Sequence, residues 1–149
     1  LCDRRQRQMC IRDRYADGIQ IKILNKEKDI NFGSVYENAV AQELRAHGFD
    51  LYYFNNKKQG ELDFVMEYQG EILPIEVKSG KDYMRHRALD NVLKNPQYEI
   101  SEAIVFCNEN IQKKDKVLYC PIYLVGMLKK QRLPEDYIYQ MDLSILQDA

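Results

Sequence analysis

The spacing of hydrophobic residues along the chain changes between residue 32 and residue 68. Over residues 32–44 apolar side chains recur every three or four positions, which predicts an amphipathic helix, and Gly48 follows as a typical helix stop. Over residues 61–68 the period becomes two, which predicts a strand. In that strand one face is expected to carry Leu62, Phe64, Met66 and Tyr68.

The remaining apolar segments predict a mixed helix and strand domain. Short strands are expected at residues 51–54, 72–78, 103–107 and 117–120, and helices at residues 82–95 and 122–130. Pro96 should end the helix before it. The order of helix, three strands, helix and strand indicates an α/β fold in which the first three strands form an antiparallel meander.

Composition is that of a single globular domain. The chain has 149 residues, of which 45% are hydrophobic and 30% charged. The longest apolar run is far shorter than the roughly 20 residues of a membrane helix, and no segment resembles a signal peptide. We expect a cytoplasmic protein without a membrane partner. Cys2, Cys10, Cys107 and Cys120 lack zinc-ligand spacing and are expected to be reduced thiols, the last two buried.

Charge is unevenly distributed along the chain. Residues 1–14 carry five arginines against two aspartates, whereas the whole chain has a net charge of −1. The sequence MCIRDR within this arm has the form of a translated sequencing adapter, so we expect residues 1–14 to be non-native. The domain is then residues 15–149, a fragment of a longer protein. Its net charge of −4 gives no electrostatic support for tight DNA binding.

One hairpin brings two acidic side chains together. If Gln69 and Gly70 form a two-residue turn, facing residues on the two strands have numbers that add to 139. Asp63 then faces Glu76, and Glu61 faces Lys78. At about 5 Å and an effective dielectric constant of about 20, two carboxylates repel by on the order of 3 kcal/mol. A cation, a raised pKa or the Lys78 ammonium must offset this repulsion.

The functional interpretation is a magnesium site. Asp63 and Glu76 would hold Mg²⁺, Lys78 would orient a water or stabilise developing negative charge, and Glu37 could complete the site. The structural alternative is a set of surface ion pairs, each worth about 0 to 1 kcal/mol. Glu37 has its own alternative, a capping box with Ser34.

Other charged residues have ordinary explanations. His47 and His86 are expected to be solvated. Lys81, Arg85 and Arg87 follow the candidate site and could contact phosphates or simply form a charged helix face. Gly80-Lys81 is followed by Asp82 and lacks the upstream glycine of a P-loop, so no nucleotide site is expected in this chain.

The same residues carry a resemblance to a known superfamily. A helix bearing Glu37, then Glu61-Leu62-Asp63-Phe64 and Ile75-Glu76-Val77-Lys78, resembles the PD-(D/E)XK nucleases. More narrowly, NFGSVYENAVAQEL, LYYFNNKKQGELDFV and LPIEVKSGK resemble the domain of unknown function at the C-terminal end of many prokaryotic AAA-type ATPases. The similarity spans about residues 15–128.

The resemblance implies a restriction-endonuclease-like core, with a central mixed sheet flanked by helices. In active members it implies Mg²⁺-dependent phosphodiester cleavage, with Asp63, Glu76 and Lys78 as the core of the site and Glu37 often joining them. DNA and an upstream ATPase domain of the same native chain would be the partners. The alternative, from another class of function, is a non-catalytic interaction or regulatory module of the parent ATPase.

Overall fold

A computed structural model describes residues 23–25 and 31–130. The predicted arm at residues 1–14, with Cys2 and Cys10, lies outside the described residues. Within them, no helix is long and apolar enough to cross a bilayer.

Helix α1 covers Phe32–Ala46 and begins one turn earlier than the Ser34 capping box requires. Asn31 is the N-cap residue, and its side chain accepts a hydrogen bond from the Ser34 backbone N–H at 3.4 Å. Ser34 therefore lies in the first turn, so the capping-box alternative for Glu37 is wrong. The helix ends as predicted, with Gly48 at a φ of +83° and its N–H bonded to the Arg45 carbonyl.

Six strands form one mixed sheet in the order β1-β2-β3-β4-β6-β5. The first three strands pair antiparallel, β3 pairs parallel with β4 and β4 with β6, and β5 pairs antiparallel with β6. The strands are β1 Tyr52–Asn56, β2 Gly60–Tyr68, β3 Glu71–Val77, β4 Ala103–Cys107, β5 Gln112–Lys114 and β6 Val117–Pro121. The predicted mixed sheet and meander are confirmed.

Two helical predictions need correction. Helix α2 covers Arg87–Lys94 rather than residues 82–95, because a turn closed by the Arg85 N–H on the Asp82 carbonyl precedes it. The closing segment is a 3₁₀ helix, Ile122–Met127, rather than an α-helix. Its β-branched residues and Gly126 have low α-helix propensity. A short 3₁₀ turn, Pro96–Tyr98, follows α2.

The two faces of the sheet bury separate cores. The face covered by α1 and the closing 3₁₀ helix buries side chains that include Leu44, Phe64, Met66, Leu73, Ile75 and Phe106. The face covered by α2 buries side chains that include Phe54, Leu62, Val65, Leu89, Val92 and Tyr119. Cys107 and Cys120 are buried free thiols, as predicted.

Strand β2 contains a bulge immediately before the middle of its length. Tyr52 faces Val65 and Phe54 faces Leu62, so two residues of β2, Asp63 and Phe64, lie opposite one residue of β1. Leu62 therefore belongs to the α2-side core, while Phe64 belongs to the α1-side core. The predicted common face for these two residues is wrong, because the extra residue reverses the alternation.

Candidate metal centre

The β2–β3 hairpin has the register that the sequence predicts. Gln69 and Gly70 both have positive φ, 55° and 83°, which is the conformation of a type I′ two-residue turn. From Tyr68 facing Glu71 to Phe64 facing Ile75, every pair has residue numbers that add to 139. The next pair in this register would be Asp63 and Glu76.

The backbone ladder stops one pair before the two acids. Beyond Phe64 and Ile75, the Asp63 Oδ2 atom accepts a hydrogen bond from the Val77 backbone N–H at 2.7 Å. The Lys78 N–H, on the other side of the strand, donates to the Phe106 carbonyl of β4 at 2.8 Å. A side-chain carboxylate therefore takes the place of a backbone acceptor at the open end of the hairpin, next to the bulge.

The charges of the other three predicted site residues all affect the pKa of Asp63. Burial raises its pKa from 3.8 to about 7, and the negative charges of Glu76 and then Glu37 raise it further within that total. The Val77 N–H and the Lys78 ammonium act in the opposite direction but do not offset the burial. These four predicted residues are thus close enough for their charges to interact.

The Glu76 side chain is buried, and only one of its two carboxylate oxygens is hydrogen-bonded within the described part of the chain. Its side chain is among the few buried polar ones, at 6% exposure. Oε1 accepts a hydrogen bond from Lys78 Nζ at 2.6 Å, while Oε2 is buried and has no hydrogen-bond partner among residues 23–25 and 31–130. A buried acceptor without a donor is costly, and a carboxylate oxygen more so than a neutral one.

Glu37 lies within α1, nearly two turns beyond the Asn31 cap, and is half-buried. Its charge acts on Asp63 across the space between the helix and the sheet. Glu61, in contrast, is exposed and faces Asn55 of β1, and the ion pair that Lys78 makes is with Glu76. Of the two ion pairs in the structural alternative, Glu61 with Lys78 and Glu76 with Lys78, the second is therefore confirmed, but Glu76 is buried rather than on a solvated face.

The donor set fits a magnesium site supplied mainly by two carboxylates. Within residues 23–25 and 31–130, no three His, Cys, Asp or Glu side chains are arranged as a ready-made ligand cluster. Mg²⁺ commonly keeps several waters and binds through one or two carboxylates together with substrate phosphates. Glu76 Oε2 and the Asp63 carboxylate supply oxygen atoms of the required type. Glu76 Oε2 has no hydrogen-bond partner among the described residues, so it could coordinate a cation.

The two histidines differ from the prediction. His86 is 6% exposed, and its Nε2 lies 2.6 Å from the Tyr119 hydroxyl oxygen. His47 is half-buried, with Nδ1 2.6 Å from the Leu128 carbonyl oxygen. Both rings contact groups far away in sequence, which no local pattern reveals. Lys81, Arg85 and Arg87 are exposed, as a charged surface requires.

Sequence reasoning missed the hydrogen bond that the Val77 backbone N–H donates to Asp63, and it missed the bulge in β2. The register alone placed Asp63 and Glu76 together, but a bulge has no signature in the apolar pattern of β2. The only available signal was that strict alternation placed Val65 on the polar face of β2.

Comparison with known protein families gives one match. Residues 32–125 match a domain of unknown function, DUF4143. This confirms the predicted similarity to a domain of unknown function over most of the expected span. Neither the curated proteins nor the solved structures give a significant match.

Proposed function

The chain belongs to the DUF4143 family, and from this premise we propose that its domain is a Mg²⁺-dependent nuclease that hydrolyses phosphodiester bonds in DNA. The proposal includes a PD-(D/E)XK type of core and a native position at the C-terminal end of a prokaryotic AAA-type ATPase. The element order and the mixed sheet support such a core. The combination of two acidic residues, Asp63 and Glu76, with Lys78 supports the proposed hydrolysis of phosphodiester bonds.

One observation carries the proposal. Glu76 Oε2 is buried and has no hydrogen-bond partner among the described residues, and the charge of Glu76 contributes to raising the pKa of Asp63 to about 7. A buried Glu76 and a half-buried Asp63 share one lysine, which pairs with Glu76, so the set carries an excess of negative charge when both acids are ionised. The free-energy cost of burying charged carboxylates can exceed the gain from a single ion pair. A bound divalent cation would satisfy both carboxylates.

Each side chain then has a defined role. Asp63 and Glu76 would hold the ion, and Glu37 would assist through its charge. Mg²⁺ held there would supply a Lewis acid for the phosphate and would lower the pKa of a water molecule. Lys78 Nζ, held at 2.6 Å by Glu76, is positioned to orient that water or to stabilise negative charge on the phosphate. Asp63 must lose its proton from the carboxyl group when the ion binds.

Thermal unfolding tests the metal site. If the dissociation constant is about 0.1 mM, 10 mM Mg²⁺ should stabilise the folded chain by about 2.7 kcal/mol. Asp63→Asn and Glu76→Gln should lose most of this response. Glu67→Gln is the matched control, because it removes the same charge from an exposed position of β2. A wild-type chain that does not respond to Mg²⁺ or Mn²⁺ would refute the site.

Cleavage of plasmid and single-stranded DNA tests the activity. Wild type should cut with Mg²⁺, and Glu76→Gln and Lys78→Ala should reduce the rate at least a hundredfold, while Glu67→Gln should not. Cleavage that persists in both site variants would indicate a contaminating nuclease and contradict the proposal.

A specific observation favours a second candidate, the non-catalytic interaction or regulatory module. The Lys78 ammonium already neutralises one carboxylate, and residues 15–149 carry a net charge of −4. Under this alternative the fold positions a partner or the parent ATPase domain. Metal-dependent stabilisation without cleavage of either DNA would favour the module over the enzyme.

A further inference from the structure

A second polar site lies on the α2 face of the sheet. A cavity of about 490 Å³ opens between α2 and the β5–β6 hairpin. Its size is in the range of small-molecule sites, about 300 to 1,000 Å³. None of its lining residues belongs to the set of Glu37, Asp63, Glu76 and Lys78.

Three polar side chains form a chain on the wall of this cavity. The Tyr119 hydroxyl lies 2.6 Å from His86 Nε2, and His86 Nδ1 lies 2.9 Å from Asp90 Oδ1. The second contact lacks hydrogen-bond geometry, so Nδ1 is a buried polar atom without a hydrogen-bond partner. The ring itself is 6% exposed.

The protonation of Tyr119 follows from burial. Burial and the nearby Asp90 charge raise the pKa of Tyr119, so its phenol stays protonated. The His86 ring lies between this hydroxyl and the Asp90 carboxylate, with Nε2 2.6 Å from the first and Nδ1 2.9 Å from the second. The cavity wall therefore holds a buried imidazole that is fixed in position by polar groups of α2 and β6.

Lysines supply positive charge around the same cavity. Lys94 of α2, Lys114 of β5 and Lys116 line it. Lys116 Nζ donates to the Ile100 carbonyl at 2.8 Å. Lys94 and Lys114 form no ion pair with any of residues 31–130. Two cations from different elements are thus available to one ligand.

The rest of the lining is both apolar and hydrogen-bond accepting. Met84, Leu93 and Val117 provide apolar surface, and Asp90 and Asp115 provide carboxylate acceptors. A simple anion would contact only the lysines. A ligand with an anionic end, a flat apolar body and hydroxyl or amino donors would contact every type of lining group.

We infer that this cavity binds a small organic phosphate of mononucleotide size, with its phosphate on Lys94 and Lys114. Its donors face Asp90 and Asp115, and its apolar body packs on Leu93 and Val117. The expectation of no nucleotide site rested on the missing P-loop, and this cavity is a site of a different kind. The inference does not depend on the proposed nuclease activity.

Calorimetric titration of the full chain with AMP tests the inference. EDTA is included, so that a metal ion at the other site cannot hold the phosphate. We expect saturable binding, weakened at least tenfold in the double variant Lys94→Ala/Lys114→Ala. Lys113→Ala is the matched control, because Lys113 neighbours Lys114 but pairs with Glu102 and does not line the cavity. It should change the dissociation constant less than twofold.

Two further titrations separate the components of the site. Inorganic phosphate should bind at least tenfold more weakly than AMP, because it cannot contact the apolar wall. Asp63→Asn should bind AMP like wild type, which keeps this result distinct from any failure of the metal site. No saturable AMP binding up to 10 mM, equal binding of phosphate and AMP, or an unchanged affinity in the double lysine variant would each overturn the inference.

Discussion

The two ends of the β2–β3 hairpin differ in how their polar groups are hydrogen-bonded. At the turn end, from Tyr68 and Glu71 to Phe64 and Ile75, backbone groups pair with backbone groups in a regular ladder. At the open end, the Asp63 side chain replaces a backbone acceptor, and Glu76 is buried with an unmet oxygen. The regular end contributes stability through packing, whereas the open end keeps a buried carboxylate oxygen in an energetically costly state.

The largest expected effect contrasts two residues of β3 that are equally buried. Leu73 and Glu76 are each 6% exposed, the first at the turn end and the second at the open end. Leu73→Ala should lower the free energy of unfolding by about 2 to 5 kcal/mol, because it removes buried methyl groups and leaves a cavity. Glu76→Gln keeps the shape of the side chain and should lower it by less. Urea unfolding measures both, and a larger loss in Glu76→Gln would contradict the comparison.

An intermediate effect concerns pH. The pKa of Asp63 is about 7 in the folded chain against 3.8 ordinarily, so between these values the folded state holds a proton that the unfolded state releases. The stabilisation is complete below about pH 4 and is lost as the pH rises toward 7, by on the order of 4 kcal/mol.

Unfolding in urea with EDTA at pH 4.5, 5.5 and 7.5 measures this dependence. Asp63→Asn cannot titrate, so its stability should decline less over the same interval. A decline as steep as that of wild type would show that Asp63 does not hold the proton.

The smallest expected effect lies in the turn. Gln69 has a positive φ of 55°, which asparagine adopts more readily than glutamine. Gln69→Asn creates the Asn-Gly turn favoured in type I′ hairpins and should raise the free energy of unfolding by less than about 1 kcal/mol. Gly70→Ala, at a φ of 83°, is the opposite control and should lower it by about 1 kcal/mol. Equal stability of the two variants would contradict the turn assignment.

The turn end was predictable because its determinants are local. Gln69-Gly70 sets the register, and the register determines that Asp63 follows Phe64 toward Glu76. The end of α1 just before Gly48 was predictable for the same reason. The open end was only half predictable, because the bulge at Asp63 and Phe64 depends on the packing of β1 against β2.

Contacts between distant segments account for the remaining differences. His86 is polar in sequence but is buried by Tyr119, 33 residues later, and α2 begins only after it. Strand β5 has the sequence Gln-Lys-Lys, which contains no apolar residue and therefore no strand signal. It forms because the adjacent β6, a core strand, offers it backbone partners.

Strand β5 also influences how copies of the protein meet. It forms one border of the sheet, is three residues long, and has all its side chains exposed. Unprotected borders can recruit another chain and start polymerisation. A second copy docking there antiparallel would bring the lysines of the two β5 strands close together. Repulsion between them, offset in part at Lys113 by its ion pair with Glu102, disfavours fibre growth along this side.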